Sequence, residues 1–155
     1  MRVITGSARG RKLITLEGDD VRPTTDIVKE ALFSIIQFEI EGRKVLDLFG
    51  GSGQLAIEAL SRGADSAVIV DLSRKSVEVI KQNLEHTGFS KKAVVVQSDA
   101  MSFLSRRTEK YDIALIDPPY SKGLVEAALD KVHEVMNEGG VIICEAPYKD
   151  ELPEY

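Results

Sequence analysis

From Lys44 onward the sequence alternates short apolar runs with amphipathic stretches, and two of those runs constrain the fold most. Residues 67–71 read AVIVD and residues 93–97 read AVVVQ. A strand with one wet face alternates apolar and polar side chains, whereas these runs are apolar at every position but the last. Strands of that kind are covered on both faces, as in a parallel sheet with helices on each side. Strands are predicted near residues 44–49, 67–71, 93–97, 111–117 and 140–146. Helices are predicted between them, near 53–62, 73–86, 100–107 and 121–136. In the second of these, Val77, Ile80 and Leu84 form the apolar stripe and Gly88 supplies the stop. The expected fold is a doubly wound, mostly parallel α/β domain whose ligands sit beyond the carboxyl ends of the strands. A chain of 155 residues has room for one domain, residues 1–155.

Ahead of this core, residues 2–16, RVITGSARGRKLITL, read as two short strands around a Gly-Ser-Ala-Arg-Gly turn, hence a hairpin. RPTTDIVKEALFSII then opens a helix. Pro23 with Thr24 or Thr25 marks its start, and Ile27, Val28, Ala31, Leu32, Ile35 and Ile36 recur at helical spacing. A net charge of −5 and a pI of about 5.1 do not suggest a nucleic-acid binder. The distribution says more, because the first dozen residues hold Arg2, Arg9, Arg11 and Lys12 with no acid among them. Residues 1–22 thus make a basic unit ending in Arg22, and residues 23–155 the core. Solvated surface charge is the plain alternative. No apolar run approaches the ~18 residues of a membrane span, and the N-terminus lacks the apolar core of a signal peptide. One cysteine, Cys144, excludes an internal disulfide and suits a reducing cytoplasm, the expected location.

The predicted strands finish in acids. The first gives Asp47 and then LFGGSG, the second Asp71, the third Ser98 and Asp99, and the fourth Asp117-Pro118-Pro119-Tyr120. One such aspartate alone would be structural more often than not, but four along one edge are hard to explain as solvation. Gly51-x-Gly53-x-x-Ala56, with Asp71 about 20 residues on, also fits the dinucleotide fingerprint, which keeps a nicotinamide oxidoreductase in play. Two features oppose that alternative. Asp47 stands just before the glycines, where a pyrophosphate would be repelled, and the chain has no second domain to hold a redox substrate. A cofactor without phosphate but with a positive centre tolerates an acidic edge. S-adenosylmethionine is one, with a cationic sulfonium and α-amino group, two ribose hydroxyls and an adenine amino donor.

VLDLFGGSGQLAIEAL, VIVDLS, QSDA and LIDPPY, together with RVITGSARGRKL and RPTTDIVKEALF, resemble the bacterial methyltransferases that modify guanine N2 in small-subunit (16S) ribosomal RNA. The resemblance covers essentially the whole chain. The strand-end motifs alone indicate a class I methyltransferase acting on an amino nitrogen, and the N-terminal pair narrows this to the family. It implies that Asp47, Gly51 and Gly53 hold the methionine part of S-adenosylmethionine, Asp71 the ribose hydroxyls, and Asp99 with Ala100 the adenine, and Phe49 and Leu72 complete the expected cofactor site. It also implies that Asp117, Pro118, Pro119 and Tyr120 form the catalytic loop. The basic concentration of Arg9, Arg11 and Lys12 on the hairpin, helped by Arg22, is the expected grip on RNA. The expected partner is small-subunit rRNA within a ribosomal subunit or assembly intermediate, with the protein as a monomer. Gly50 stands where the family usually has alanine, Asp71 where glutamate is frequent, and Ile27 where arginine is usual. The chain stops at Tyr155 after the fifth strand, where the family continues into a final antiparallel pair.

The paired prolines suit this chemistry. An exocyclic amine on a base is a poor nucleophile because its lone pair is delocalised into the ring. The Asp117 carboxylate and the Pro118 carbonyl can engage its two hydrogens, and successive prolines fix where those acceptors point. Tyr120 offers a face for a flipped-out base. Adenine N6 is an alternative target for the same loop, and a non-catalytic RNA-binding protein is an alternative of another class. Cys144, Phe103 and Leu104 read as core, His86 and His133 as residues late in helices, and no cluster has metal-ligand spacing.

Overall fold

The computed structural model describes residues 1–16, 26–106, 109–117 and 122–144. Five strands, β1 (Lys44–Asp47), β2 (Ser66–Asp71), β3 (Ala93–Gln97), β4 (Tyr111–Ile116) and β5 (Met136–Cys144), form one sheet in the order β3-β2-β1-β4-β5. Every pairing is parallel. Helices α2 (Gln54–Ser61), α3 (Arg74–Thr87), α4 (Ala100–Arg106) and α5 (Lys122–His133) alternate with the strands, and α1 (Asp26–Ile35) precedes them. The doubly wound reading therefore holds. One core lies under α1, α2, α3 and the N-terminal hairpin and contains Val45, Ile69, Ile113 and Leu115. The other lies under α4 and α5 and contains Leu46, Val70, Ala114 and Ile116. The two-residue period of the strands divides their side chains between these cores.

Three boundaries or faces differ from expectation. The fifth strand begins at Met136, where a helix was predicted to persist, because Tyr111 already pairs with Met136 before the register shifts and resumes at Ile113 and Val141. β3 lies at the edge of the sheet, so Val94 is exposed and its neighbours are half-buried rather than covered on both faces. In α1 the buried residues are Lys29, Leu32 and Phe33, with Ile36 and Ile40 beyond, while Ile27 and Ile35 are exposed. A buried acid on the neighbouring helix sets that face. The Nζ of Lys29 lies 3.6 Å from Glu58 Oε1, both side chains being fully buried, and donates to the carbonyl of Arg2 at 2.7 Å. Burial pushes the lysine pKa down, and the carboxylates of Glu58 and Asp26 oppose that shift.

Glu58 is the anchor of the N-terminal hairpin. Its Oε1 accepts the amide of Ile4 at 2.8 Å, and its Oε2 accepts the amide of Thr5 at 3.0 Å and Arg62 Nε at 2.9 Å. The Arg62 guanidinium in turn lies over the Phe33 ring, 4.9 Å from its centroid. The hairpin itself has one antiparallel bridge, Arg2 with Lys12, flanked by Leu13 N to Met1 O and Val3 N to Arg11 O, each 2.9 Å. Val3, Ala8 and Leu13 are buried beneath it. At its turn Ser7 N donates to the Ser61 carbonyl and Ala8 N to Ser61 Oγ. Gly6 passes so close that a Cβ there would collide with the same carbonyl. Replacing Glu58 by alanine removes the acceptor of two backbone amides and strands the buried Lys29. The expected loss is about 3–5 kcal/mol in urea unfolding. Arg74→Ala, which breaks an exposed 3.4 Å pair with Glu78, should cost under ~1 kcal/mol. Equal small losses would show that Glu58 does not hold the hairpin.

Candidate active site at the acidic sheet edge

The sheet register gathers the predicted acids. Asp47 is level with Ile69 on β2 and with Leu115 on β4. Asp71 and Asp117 therefore each stand two residues further along the strands on either side of it. By the period of two all three belong to one face of the sheet. Asp99 follows β3, the next strand out. Phe49, Gly51 and Gly53 lie in the loop between β1 and α2, Leu72 directly follows β2, and Ala100 opens α4. The structure thus brings Asp47, Phe49, Gly51, Gly53, Asp71, Leu72, Asp99, Ala100 and Asp117 to one edge. Pro118, Pro119, Tyr120 and Arg22 lie outside the described residues.

Asp47 is the unusual group. It is buried, and neither carboxylate oxygen has a hydrogen-bond partner among the described residues. Burial raises its pKa from 3.8 to about 7, reinforced by the negative charges of Asp117 and Asp71 and tempered by the nearby Phe49 and Ala56 amides. A buried acceptor left unpaired costs free energy unless a ligand supplies the donor. Gln54, the first residue of α2, adds a third such atom, its buried Oε1. Sequence reasoning missed Gln54. Its only signal was a polar residue opening a helix that is otherwise mostly apolar.

Asp71 has two tasks. Its Oδ2 accepts the amide of Gly51 at 2.9 Å, and its Oδ1 accepts the amide of Ser73 at 2.9 Å. The first bond ties the glycine loop to β2 and the second shapes the entry to α3, whose first turn Ser73 caps. Each oxygen keeps a lone pair for a ligand hydroxyl. Gly51 and Gly53 adopt φ values of 60° and 83°, a left-handed backbone that side chains disfavour. At Gly50, by contrast, the obstacle is space. The alanine usual in the family would bring its Cβ to 2.5 Å from Ile69 Cγ2 and 2.9 Å from Ile80 Cδ1. Asp99 caps α4 through Oδ2 to the Ser102 amide at 3.0 Å, and its side chain is open to solvent.

The basic residues Arg9, Arg11 and Lys12 are exposed on the hairpin. The hairpin lies lengthwise on α2. Met1 Sδ meets Ser52 Oγ at 3.4 Å, Ile4 and Thr5 meet Glu58, and Ser7 and Ala8 meet Ser61. Its open end therefore reaches the glycine loop, while the turn, with Arg9 beside it, lies at the far end of α2. Lys12 is bridged to Arg2 near the open end, and Arg2 is paired with Asp26 at 3.5 Å.

A wholly parallel sheet in this order, with acids at its carboxyl edge and a glycine loop after the first strand, defines a class I methyltransferase fold. A family model described as Conserved hypothetical protein 95 matches residues 1–155. The Bacillus subtilis protein YlbH is 40% identical over 99% of this chain and 86% of its own length. Ribosomal RNA small subunit methyltransferase D of Escherichia coli K12 is 36% identical over 99% of this chain and 78% of its own. The solved structure of yhhF from Escherichia coli superposes with a TM-score of 0.84 at 35% identity, over 99% of this chain and 85% of that one. The chain belongs to this family.

The raised pKa of Asp47 makes ligand-free stability fall with rising pH. Between pH ~4 and ~7 the folded state holds a proton that the unfolded state has released, so stability due to this group declines through that window. Asp47→Asn removes the penalty. The ligand-free variant should gain stability over the parent at pH 8, by up to about 4 kcal/mol, and show little gain at pH 4. Urea titrations at the two pH values measure the difference. A gain independent of pH would mean that Asp47 is not the source.

Proposed function

We propose that this protein transfers the methyl group of S-adenosylmethionine to an exocyclic amino nitrogen of an RNA base, guanine N2 in small-subunit rRNA. The observation that carries the reading is the buried Asp47 carboxylate, flanked by Asp71 and Asp117 and without a hydrogen-bond partner among the described residues. Such an edge suits a cation and repels a dinucleotide pyrophosphate, which sets aside the nicotinamide alternative. The RNA substrate is supported by the name of the Escherichia coli relative, a small subunit rRNA methyltransferase that shares this chain almost from end to end.

In this reading Asp47 and Gln54 accept the α-ammonium of the methyl donor, whose arrival satisfies their orphaned oxygens. Asp71 accepts the ribose hydroxyls with its remaining lone pairs while holding the glycine loop. Leu72, exposed beside it, and Ala100, buried at the start of α4, border the adenine, with Asp99 at its edge. Asp117 and the Pro118 carbonyl take the two hydrogens of the target amine and turn its lone pair towards the methyl carbon. The nitrogen then forms a bond to that carbon as the carbon–sulfur bond breaks. Its electron pair stays on sulfur, and the methylated nitrogen gives up one proton to the Asp117 carboxylate, which passes it to solvent. Positioning for in-line transfer supplies most of the rate, without a covalent intermediate. Arg11 and Lys12, with Arg9 further along the hairpin, hold phosphates around a single-stranded loop from which the base is splayed. The setting is the cytoplasm, and the substrate a small ribosomal subunit or its assembly intermediate.

Two experiments separate these roles. Asp117→Ala should bind S-adenosylmethionine close to parent affinity in calorimetry yet transfer methyl to unmodified small ribosomal subunits at least about 100-fold more slowly. Near-normal turnover would make Asp117 structural, and mapping the modified base distinguishes guanine N2 from adenine N6. Replacing Arg9, Arg11 and Lys12 together by alanine should weaken subunit binding and flatten its salt dependence by about 0.7 log unit for each phosphate left without its cation. Cofactor affinity should stay unchanged. Parent-like binding at every salt concentration would place the RNA elsewhere.

A further inference from the structure

Asn83 is fully buried near the end of α3, far from the sheet edge in sequence and used by none of the steps above. Its carboxamide is nevertheless completely committed. Oδ1 accepts the amide of Ile14 at 2.8 Å, and Nδ2 donates to the carbonyl of Ile14 at 3.0 Å. The side chain thus pairs with residue 14 as a neighbouring strand would, by one donor and one acceptor. The second hydrogen of Nδ2 goes to the carbonyl of Ser52 at 2.8 Å. Ser52 stands between Gly51 and Gly53, at the centre of the loop that faces the methyl donor.

Ile14 closes the open end of the basic hairpin, and the other end, Met1, meets Ser52 through its sulfur at 3.4 Å. Both ends of the hairpin therefore converge on one residue of the glycine loop. Asn83 bonds to the hairpin and the loop at once. The loop is also held by Asp71 through Gly51.

We propose that Asn83 is a positioning residue for methyl transfer, setting the hairpin that carries RNA in register with the loop that carries the methyl donor. This rests on the reading of the hairpin as an RNA grip. In-line transfer tolerates little error, and about 1 Å of misplacement costs on the order of 100-fold in rate. Loss of the bridge should therefore slow the reaction of bound partners more than it weakens either partner's binding.

The test compares Asn83→Ala with Leu84→Ala, a buried apolar truncation one residue along that touches none of these bonds. Asn83→Asp serves as a second variant, because it keeps the acceptor for the Ile14 amide and loses both donations. Binding of S-adenosylhomocysteine alone, binding of unmodified small ribosomal subunits alone, thermal unfolding, and kcat with both substrates saturating are measured. The expected result for both Asn83 variants is affinity for each partner within about threefold of the parent and kcat lower by about tenfold or more. Leu84→Ala, at a comparable loss in unfolding temperature, should keep kcat within about threefold. The proposal is overturned if the Asn83 variants keep kcat, or if Leu84→Ala loses it equally. It is also overturned if S-adenosylhomocysteine affinity falls as far as kcat, which would make Asn83 a brace for the loop alone. Failure of the RNA reading appears separately, as parent-like subunit binding by the variant lacking Arg9, Arg11 and Lys12.

Discussion

The buried carboxylate of Glu58 is the interaction on which the N-terminal third of the molecule depends. It takes the amides of Ile4 and Thr5, faces the ammonium of Lys29, and receives Arg62, which in turn stacks on Phe33. One acid thereby orients the hairpin, the face of α1 and the far end of α2. A buried charge of this kind adds little net stability against a well-packed apolar equivalent, but with its partners in place it is very costly to disrupt. Its value here is in specifying an arrangement. It admits one register of hairpin on helix, the register that delivers Met1 and Ile14 to the glycine loop.

Much of this architecture was legible in the sequence, and the legible part follows from periodicity. Continuous apolar runs announced the parallel sheet, and acids at or just after their ends marked the site edge. Asp47 and Asp71 end β1 and β2, while Asp99 and Asp117 follow β3 and β4 by two residues and one. The face of α1 was not legible. Ile27 and Ile35 read as core, yet the helix turns Lys29 inward because Glu58, on a different helix, waits for it. A lysine's burial is decided by a partner 29 residues away, and local pattern carries no record of that partner. The roles of Asn83 and Gln54 escaped for the same reason, since their significance lies in what they touch or leave untouched in space. The start of β5 was misplaced because its first pairing, Tyr111 with Met136, precedes a register shift that interrupts the apolar pattern.

The acidic edge also shows a division between support and reception. Asp71 and Asp99 have their carboxylates engaged by backbone amides, so they shape the loops they belong to and offer a ligand only what remains. Asp47 is the reverse, a buried carboxylate without a hydrogen-bond partner among the described residues, flanked by the charges of Asp71 and Asp117. The cost of burying its charge is relieved by a proton or by an arriving cation. Sites of this design trade stability of the empty protein for discrimination in favour of a charged ligand.

The strand order has a consequence for the protein as it leaves the ribosome. β1 pairs on one side with β2, its successor in the chain, and on the other with β4, which is synthesised only after α2, β2, α3, β3 and α4. The hairpin precedes all of these, and its partners Glu58, Ser61 and Asn83 precede β4. Every residue that braces the glycine loop, Asp71 included, is therefore made before Asp117, and β1 keeps one unpaired edge until β4 is made. An open strand edge is a template for pairing with another chain. The strand that leads to Asp117 thus also guards the centre of the sheet against association during synthesis.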